Sequence, residues 1–134
     1  MRLYADTSFL IATVRGKPEA LRAITENSGI IVVPAIAYYE FYIGIKKGEM
    51  KHGERFEKER AFIESLTIEF PDRAILQKAA EIRAICETKG INASDADYMI
   101  VAHAVEGAGA IITADKDIKR IIDAADAGIK VIEM

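Results

Sequence analysis

Residues 29–45, GIIVVPAIAYYEFYIGI, form a block of seventeen residues with a single charge, that of Glu40. If the block is core, this carboxylate loses its water, at a cost of several kcal/mol unless a partner compensates. A membrane is the other home for such a block. Its length sits at the short limit of about 17–25 residues for a span, however, and Pro34 and Glu40 interrupt it. The block therefore belongs to a soluble core, and the rest of the chain has to supply a partner for Glu40.

Around it, short apolar runs alternate with helical periodicity. Leu3-Tyr4-Ala5 is a first strand ending at Asp6-Thr7-Ser8, where Thr7 or Ser8 can cap a short helix over 9–14. Pro18 suits the first turn of a second helix, 18–26. Residues 30–33 are β-branched and apolar throughout, as in a strand covered on both faces, and Pro34 fits the first position of a helix running to about residue 47. A polar break at 48–53 precedes a charged helix, 54–65, with Phe56, Ala61, Phe62 and Leu66 inward. A third strand covers 67–70. Asp72 opens a helix over 73–89 with Ile75, Leu76, Ala79, Ala80, Ile82 and Ala84 at helical spacing, closed by Gly90. Ser94 and Asp97 resemble a capping box for a helix ending near residue 106. A fourth strand at 110–113, a helix at 117–127 and a fifth strand at 129–132 complete the chain. Strands alternating with helices predict a three-layer α/β/α sandwich around a parallel sheet of four to five strands. With 134 residues and no repeat, linker or low-complexity tract, a single domain spanning 1–134 is expected.

The lone cysteine, Cys86, excludes an internal disulfide, and no group of residues has zinc-site spacing. This thiol content suits a reducing cytoplasm, and no apolar leader is visible at the start of the chain. A formal net charge of −3 argues weakly against a general nucleic-acid binder.

The placement of the acids is more informative. In an open parallel sheet, ligands collect at the carboxyl ends of the strands. Asp6 ends the first strand, Asp115 follows the fourth, and Glu40 lies less than two turns into the helix leaving the second. At about 100° per residue, Asp97 shares a helix face with Ile100, Val101 and Ala104, so it points inward from the first turn. Asp95 falls on the opposite face, with Met99, Ala102 and Glu106. Taken singly, Asp6 is a helix cap, Asp97 a first-turn acid favoured by the helix dipole and Asp115 a turn residue. Glu40 has no such local use, and no Arg or Lys lies on a matching apolar face. Four carboxylates in one cleft would raise one another's pKa. Divalent Mg²⁺ or Mn²⁺, with their preference for hard oxygen ligands, would remove that penalty, and the chemistry implied is metal-assisted hydrolysis of a phosphodiester by water.

These residues resemble the PIN-domain family of metal-dependent ribonucleases, and especially the VapC-like toxins of toxin–antitoxin pairs. The resemblance covers nearly the whole chain. It rests on Asp6-Thr7-Ser8 after the opening strand and Glu40 in the helix after strand two. It continues with Asp97-Tyr98-Met99-Ile100-Val101-Ala102-His103-Ala104, similar to Asp-x-x-Ile-Ala-Ala-x-Ala, and with Thr113-Ala114-Asp115-Lys116-Asp117, similar to Thr-x-Asp-x-Asp. By that resemblance Asp6, Glu40, Asp97 and Asp115 are the catalytic and metal-site acids, with Thr7, Ser8 and Thr113 as supporting hydroxyls. Asp95 and Asp117 are possible further acids. Ile118, where the family often has Phe, and Val101, in place of Ala, depart from the pattern without touching a carboxylate. The resemblance implies an RNA substrate, Mg²⁺ or Mn²⁺ as cofactor, an antitoxin partner, a homodimer and a cytoplasmic location.

With the four site acids set aside, the remainder of the chain carries +1. Arg15, Lys17, Lys46, Lys47, Lys51, Arg55, Lys116, Lys119 and Arg120 flank the site segments and suit contacts to an RNA backbone. His52 and His103 have no nucleophile at an activating spacing and are expected to be surface or structural, with His103 on the far face of the helix that carries Asp97. Tyr38, Tyr42 and Ile45 form a stripe opposite Glu40, for core packing or for a dimer or antitoxin contact. Two other readings compete. A phosphorylation-controlled receiver domain needs paired acids near the start and an acceptor Asp after strand three, where only Asp72 stands, and it leaves Glu40 unexplained. A non-catalytic RNA- or protein-binding module would have no use for the intact acids.

Overall fold

A computed structural model describes residues 1–134. Five parallel strands, β1 (Arg2–Ala5), β2 (Ile30–Pro34), β3 (Thr67–Glu69), β4 (Ala110–Thr113) and β5 (Val131–Glu133), lie in the order β3-β2-β1-β4-β5. Tyr4 is level with Val32 on one side and with Ile111 on the other. Helices α1 (Thr7–Val14), α2 (Pro18–Glu26), α3 (Ala35–His52) and α4 (Glu57–Glu64) join β1 to β2 and β2 to β3. Helices α5 (Arg73–Thr88) and α6 (Asp95–Glu106) carry the chain back over the sheet to β4, and α7 (Lys116–Ala125) leads to β5. Right-handed crossovers place α1–α4 on one face and α5–α7 on the other, which gives the three layers expected from the alternating pattern. The chain reverses direction across the sheet between β1 and β4, the switch point where open α/β sheets bind ligands. No helix is long and apolar enough to cross a membrane.

The largest departure from the expected elements is at residues 48–53. The polar break is absent, and α3 continues to His52 before Gly53 closes it in the left-handed conformation at φ 68°. Gly48 is there for contact rather than as a breaker. A Cβ at this position would stand 2.4 Å from the Phe56 ring, so the missing side chain lets Phe56 seat on α3. Helix α4 consequently starts late, at Glu57. Ile63 is its buried residue, while Phe62 and Leu66 are half-buried and Ala61 is exposed. The buried stripe of α5 is narrower than its periodicity predicts. It consists of Ile75, Ala79, Ile82 and Cys86, leaving Leu76, Ala80 and Ala84 in contact with solvent.

Helix α6 is buried nearly all round. Ala96, Tyr98 and every residue from Ile100 to Ala104 lie in the core, because α5, α7 and the sheet enclose the helix together. The far face expected for His103 is therefore also core, and its ring is fully buried. His103 Nδ1 meets Glu69 Oε1 at 2.7 Å, and Tyr4 donates its hydroxyl to Glu69 Oε2 at 3.2 Å. Ile45 belongs to the buried face of α3 with Ala37 and Phe41, not to a separate stripe. Tyr38 and Tyr42 stack at 5.2 Å and are engaged by α4. Tyr38 donates to Glu64 at 2.5 Å, and Arg60 donates to the Tyr42 hydroxyl at 2.9 Å.

Candidate metal centre

Asp6 lies at the carboxyl end of β1 and also starts α1. Its Oδ1 accepts from the Phe9 amide at 2.9 Å, so the capping role expected of Thr7 or Ser8 belongs to Asp6 itself. The Ser8 hydroxyl donates to the same oxygen at 2.7 Å, and the Thr113 hydroxyl donates to Oδ2. Asp6 is only 3% exposed. Burial pushes its pKa up, the three hydrogen bonds pull it back, and the charge of Asp115 pushes it up again. The carboxylate is thus fixed in orientation through both oxygens.

Asp115 follows β4 and caps α7 by accepting from the Asp117 amide at 2.9 Å, while its own amide donates to Thr113 Oγ1 at 2.8 Å. Thr113, 1% exposed, therefore ties the ends of β1 and β4 together through one hydroxyl. The same short α7 entry that makes Asp115 a cap turns Asp117 back toward it. Asp97 enters from the first turn of α6, where Ser94 Oγ accepts from its amide at 3.2 Å.

Carboxylate oxygens of Asp97, Asp115 and Asp117 lie within 4.8 Å of one another, and all three residues are half-buried. Asp97 shows the cost of this crowding. Desolvation first, and then the charges of Asp115, Asp117 and Asp6, push its pKa up to about 6, against a modest opposing hydrogen bond to Ser94. Three hard oxygen donors converging from the first turns of α6 and α7, one of them held well above the usual carboxylate range, fit a divalent cation, which would relieve the repulsion that raises Asp97.

Of the acids expected at the site, Asp97 and Asp115 stand together in this cluster, and the others are placed differently. Asp117, read only as a possible addition, stands in the closest cluster, and one of its oxygens is also paired with Arg120 at 3.2 Å. Asp6 is the next carboxylate, linked to Asp115 through Thr113. Glu40 lies outside the three-acid cluster. It is half-buried and accepts from the Thr7 hydroxyl at 2.8 Å, so its immediate partner is a neutral donor on α1. Asp95 lies outside the three-acid cluster. It projects from α6 toward α5, where it pairs with Arg83 at 2.6 Å. The Tyr4–Glu69–His103 contact had no sequence signal, because it joins three elements and each residue type is ordinary in its own element.

Acids gathered at the switch point of a parallel sheet define an α/β protein with a carboxylate-lined site at its strand ends. The chain belongs to the PIN domain family, which it matches over residues 3–123. No curated protein matches it in sequence. Among solved structures it is similar to a chain of VapBC2 from Rickettsia felis bound to a DNA fragment from their promoter, with a TM-score of 0.80 at 21% identity, covering 100% of this chain and 99% of that one. It is similar to a chain of DNA-bound VapBC from Salmonella typhimurium, with a TM-score of 0.76 at 22% identity, covering 99% and 98%. It is also similar to a chain of VapBC-5, a member of the VapBC family of toxin–antitoxin systems from Mycobacterium tuberculosis, with a TM-score of 0.72 at 21% identity, covering 99% and 98%. At these identities the likeness is one of fold.

Proposed function

We propose that this chain is a metal-dependent endoribonuclease that hydrolyses RNA phosphodiester bonds, and that it is the toxin of a toxin–antitoxin pair. The convergence of Asp97, Asp115 and Asp117 within 4.8 Å, with Asp6 beside them, carries the reading. Membership of the PIN domain family supports it, and the toxin–antitoxin complexes that share the fold support the second half.

In this reading Asp97, Asp115 and Asp117 hold Mg²⁺ or Mn²⁺, with Asp6 completing the acidic wall. Bound there, the cation would supply the positive charge that offsets the charge of a phosphodiester. The chain's own groups do the rest. Thr113 and Ser8 keep Asp6 from rotating, so its lone pairs stay aimed into the cleft. Thr7 holds Glu40 at the margin, where its free oxygen takes the proton of an attacking water. An antitoxin would inhibit by covering this cleft, and both partners, with any second copy of the chain, would meet in the cytoplasm. The test is cleavage of a labelled RNA in Mg²⁺ or Mn²⁺ by the wild type and by Asp6→Asn, Asp115→Asn and Glu40→Gln. Each substitution is expected to remove at least about 99% of the rate, the scale of a lost electrostatic group in a catalytic site. Undiminished cleavage by the two Asp variants would overturn the assignment.

A further inference from the structure

Two clefts at the edge of the acid site lie side by side, sharing a wall made by Ala114 and Met134, and we treat them as one groove. A cleft of about 140 Å³ is bordered by Thr113 and Asp115 and runs on past Ala114 and Met134. Those same two residues border a second cleft of about 340 Å³, which continues along α1 past Ser8, Ile11 and Ala12. Its outer end is marked by Arg15, the C-cap of α1, and by Lys17 in the turn before α2. Both cations are exposed, and neither makes a salt bridge. Glu19 is the one acid on this outer cleft, so its side chains sum to a positive charge.

The groove thus begins at the carboxylates and ends in unpaired cations, with apolar walls between. The distance is set by α1 itself. Asp6 and Arg15 cap its two ends, and eight helical residues separate them by about 12 Å along the axis, the reach of a stretch of strand rather than of one phosphate. The inner hydroxyl, Ser8, donates to Asp6 and accepts from the Ala114 amide at 3.1 Å, so the floor of the groove is locked to the site. Combined clefts of this size are in the range that holds a nucleotide-sized ligand. Cations that track a backbone are what single-stranded nucleic acid requires, and the aliphatic side chains of Ile11, Ala12 and Met134 offer a base an apolar surface to rest on.

We propose that this groove seats the single-stranded RNA flanking the scissile bond, with Arg15 and Lys17 gripping its phosphates and the Ile11–Ala12 and Met134 walls taking a base. The inference rests on the ribonuclease reading for the identity of the strand, and its test separates the two. Binding of a fluorescein-labelled 12-nucleotide single-stranded RNA is measured by anisotropy in calcium across a salt series. The proteins are the wild type, Arg15→Gln/Lys17→Gln and, as a control at the amino end of β5 rather than the carboxyl end where the groove lies, Lys130→Gln. The double variant is expected to bind about tenfold more weakly at low salt, and its log–log salt slope is expected to fall by about 1.4, from two lost phosphate contacts at about 0.7 each. Lys130→Gln is expected to match the wild type. Ala12→Trp, which fills the groove without changing charge, is expected to weaken binding at every salt concentration with an unchanged slope, provided its circular dichroism spectrum and melting temperature match the wild type.

An equal slope and affinity for the double variant would overturn the groove, as would failure of the wild type to bind the RNA. Groove-dependent binding with no cleavage in Mg²⁺ or Mn²⁺ would leave the groove standing and remove the ribonuclease reading. Metal-dependent cleavage that Arg15→Gln/Lys17→Gln leaves unchanged in KM would do the reverse.

Discussion

Replacing Asp97 by Asn should make the metal-free protein more stable. The Asp97 carboxyl rises from 3.8 to about 6 on folding, a difference worth about 3 kcal/mol at about 1.4 kcal/mol per pKa unit. The side chain is half-buried, and solvent screening roughly halves that figure, to about 1.5 kcal/mol. Asparagine also gives up the attraction of a first-turn carboxylate for the helix dipole, about 0.5 kcal/mol. The net gain is about 1 kcal/mol, or about 4 °C in Tm for a domain of this length. The pH dependence follows from the sign of the shift. Because the folded pKa lies above the unfolded one, the folded state binds the extra proton between pH 3.8 and about 6. The penalty is therefore absent below that window, grows through it and is complete above it. Melting curves of wild type and Asp97→Asn in EDTA, at pH 4 to 8, should be closest at pH 4 and diverge up to pH 6–6.5. Adding Mg²⁺ or Mn²⁺ should then raise the wild type more than the variant and close the gap. An Asn variant that melts lower than the wild type at pH 8 in EDTA, or a difference that does not change with pH, would refute the repulsion argument.

Other expectations concern the scaffold. Gly44→Ala should stabilise by up to about 1 kcal/mol in urea unfolding, since the helical position is exposed and a Cβ there meets nothing within 4 Å. Gly107→Ala should destabilise by about 1–3 kcal/mol, because its Cβ would stand 1.9 Å from the hydroxyl of the fully buried Tyr4. Glu69→Ala should cost about 1–3 kcal/mol by thermal melting. It leaves His103, whose Nε2 already has no partner, with both ring nitrogens unsatisfied in the core. Arg60→Ala should cost about 1 kcal/mol. It removes a two-pronged contact to Glu49 at 2.7 and 3.0 Å and the packing of the guanidinium 5.4 Å over the Tyr42 ring, and protease cleavage near residues 53–60 should quicken.

The alternation of β-branched runs and helical periodicity was enough to place all five strands and to set α2 and β4 at their observed bounds. Asp6, Asp97 and Asp115 could be brought to one edge from strand ends and a helical wheel alone, since those depend only on local geometry. The misreadings came from contacts between elements. Gly48 looks like a breaker unless the ring of Phe56 is known to rest on it. His103 seems outward on a wheel that assumes one buried face, whereas α6 has neighbours all round. The turn of Asp117 toward Asp97 and Asp115 depends on how Asp115 caps α7, which spacing does not reveal. The pairing of Asp95 with Arg83, twelve residues away on another helix, likewise leaves no mark in the sequence.

The enclosure of α6 gives the cleft two unequal sides. Asp97 stands on the first turn of a helix that is buried nearly all round, and Asp115 caps α7 just past the buried strand β4, so the backbone that carries these half-buried acids belongs to the better packed side of the cleft. Glu40 and the α1 ridge face a different neighbourhood. There α4 contributes one fully buried side chain, Ile63, and is otherwise held by the half-buried Phe62 against Phe41 and by polar contacts to Glu49 and Tyr42. Hydrogen exchange should follow this division, with α6 amides released only by global unfolding and α4 amides by local opening. Any adjustment of the cleft is thus expected on the Glu40 side, where the packing is looser than around the aspartates.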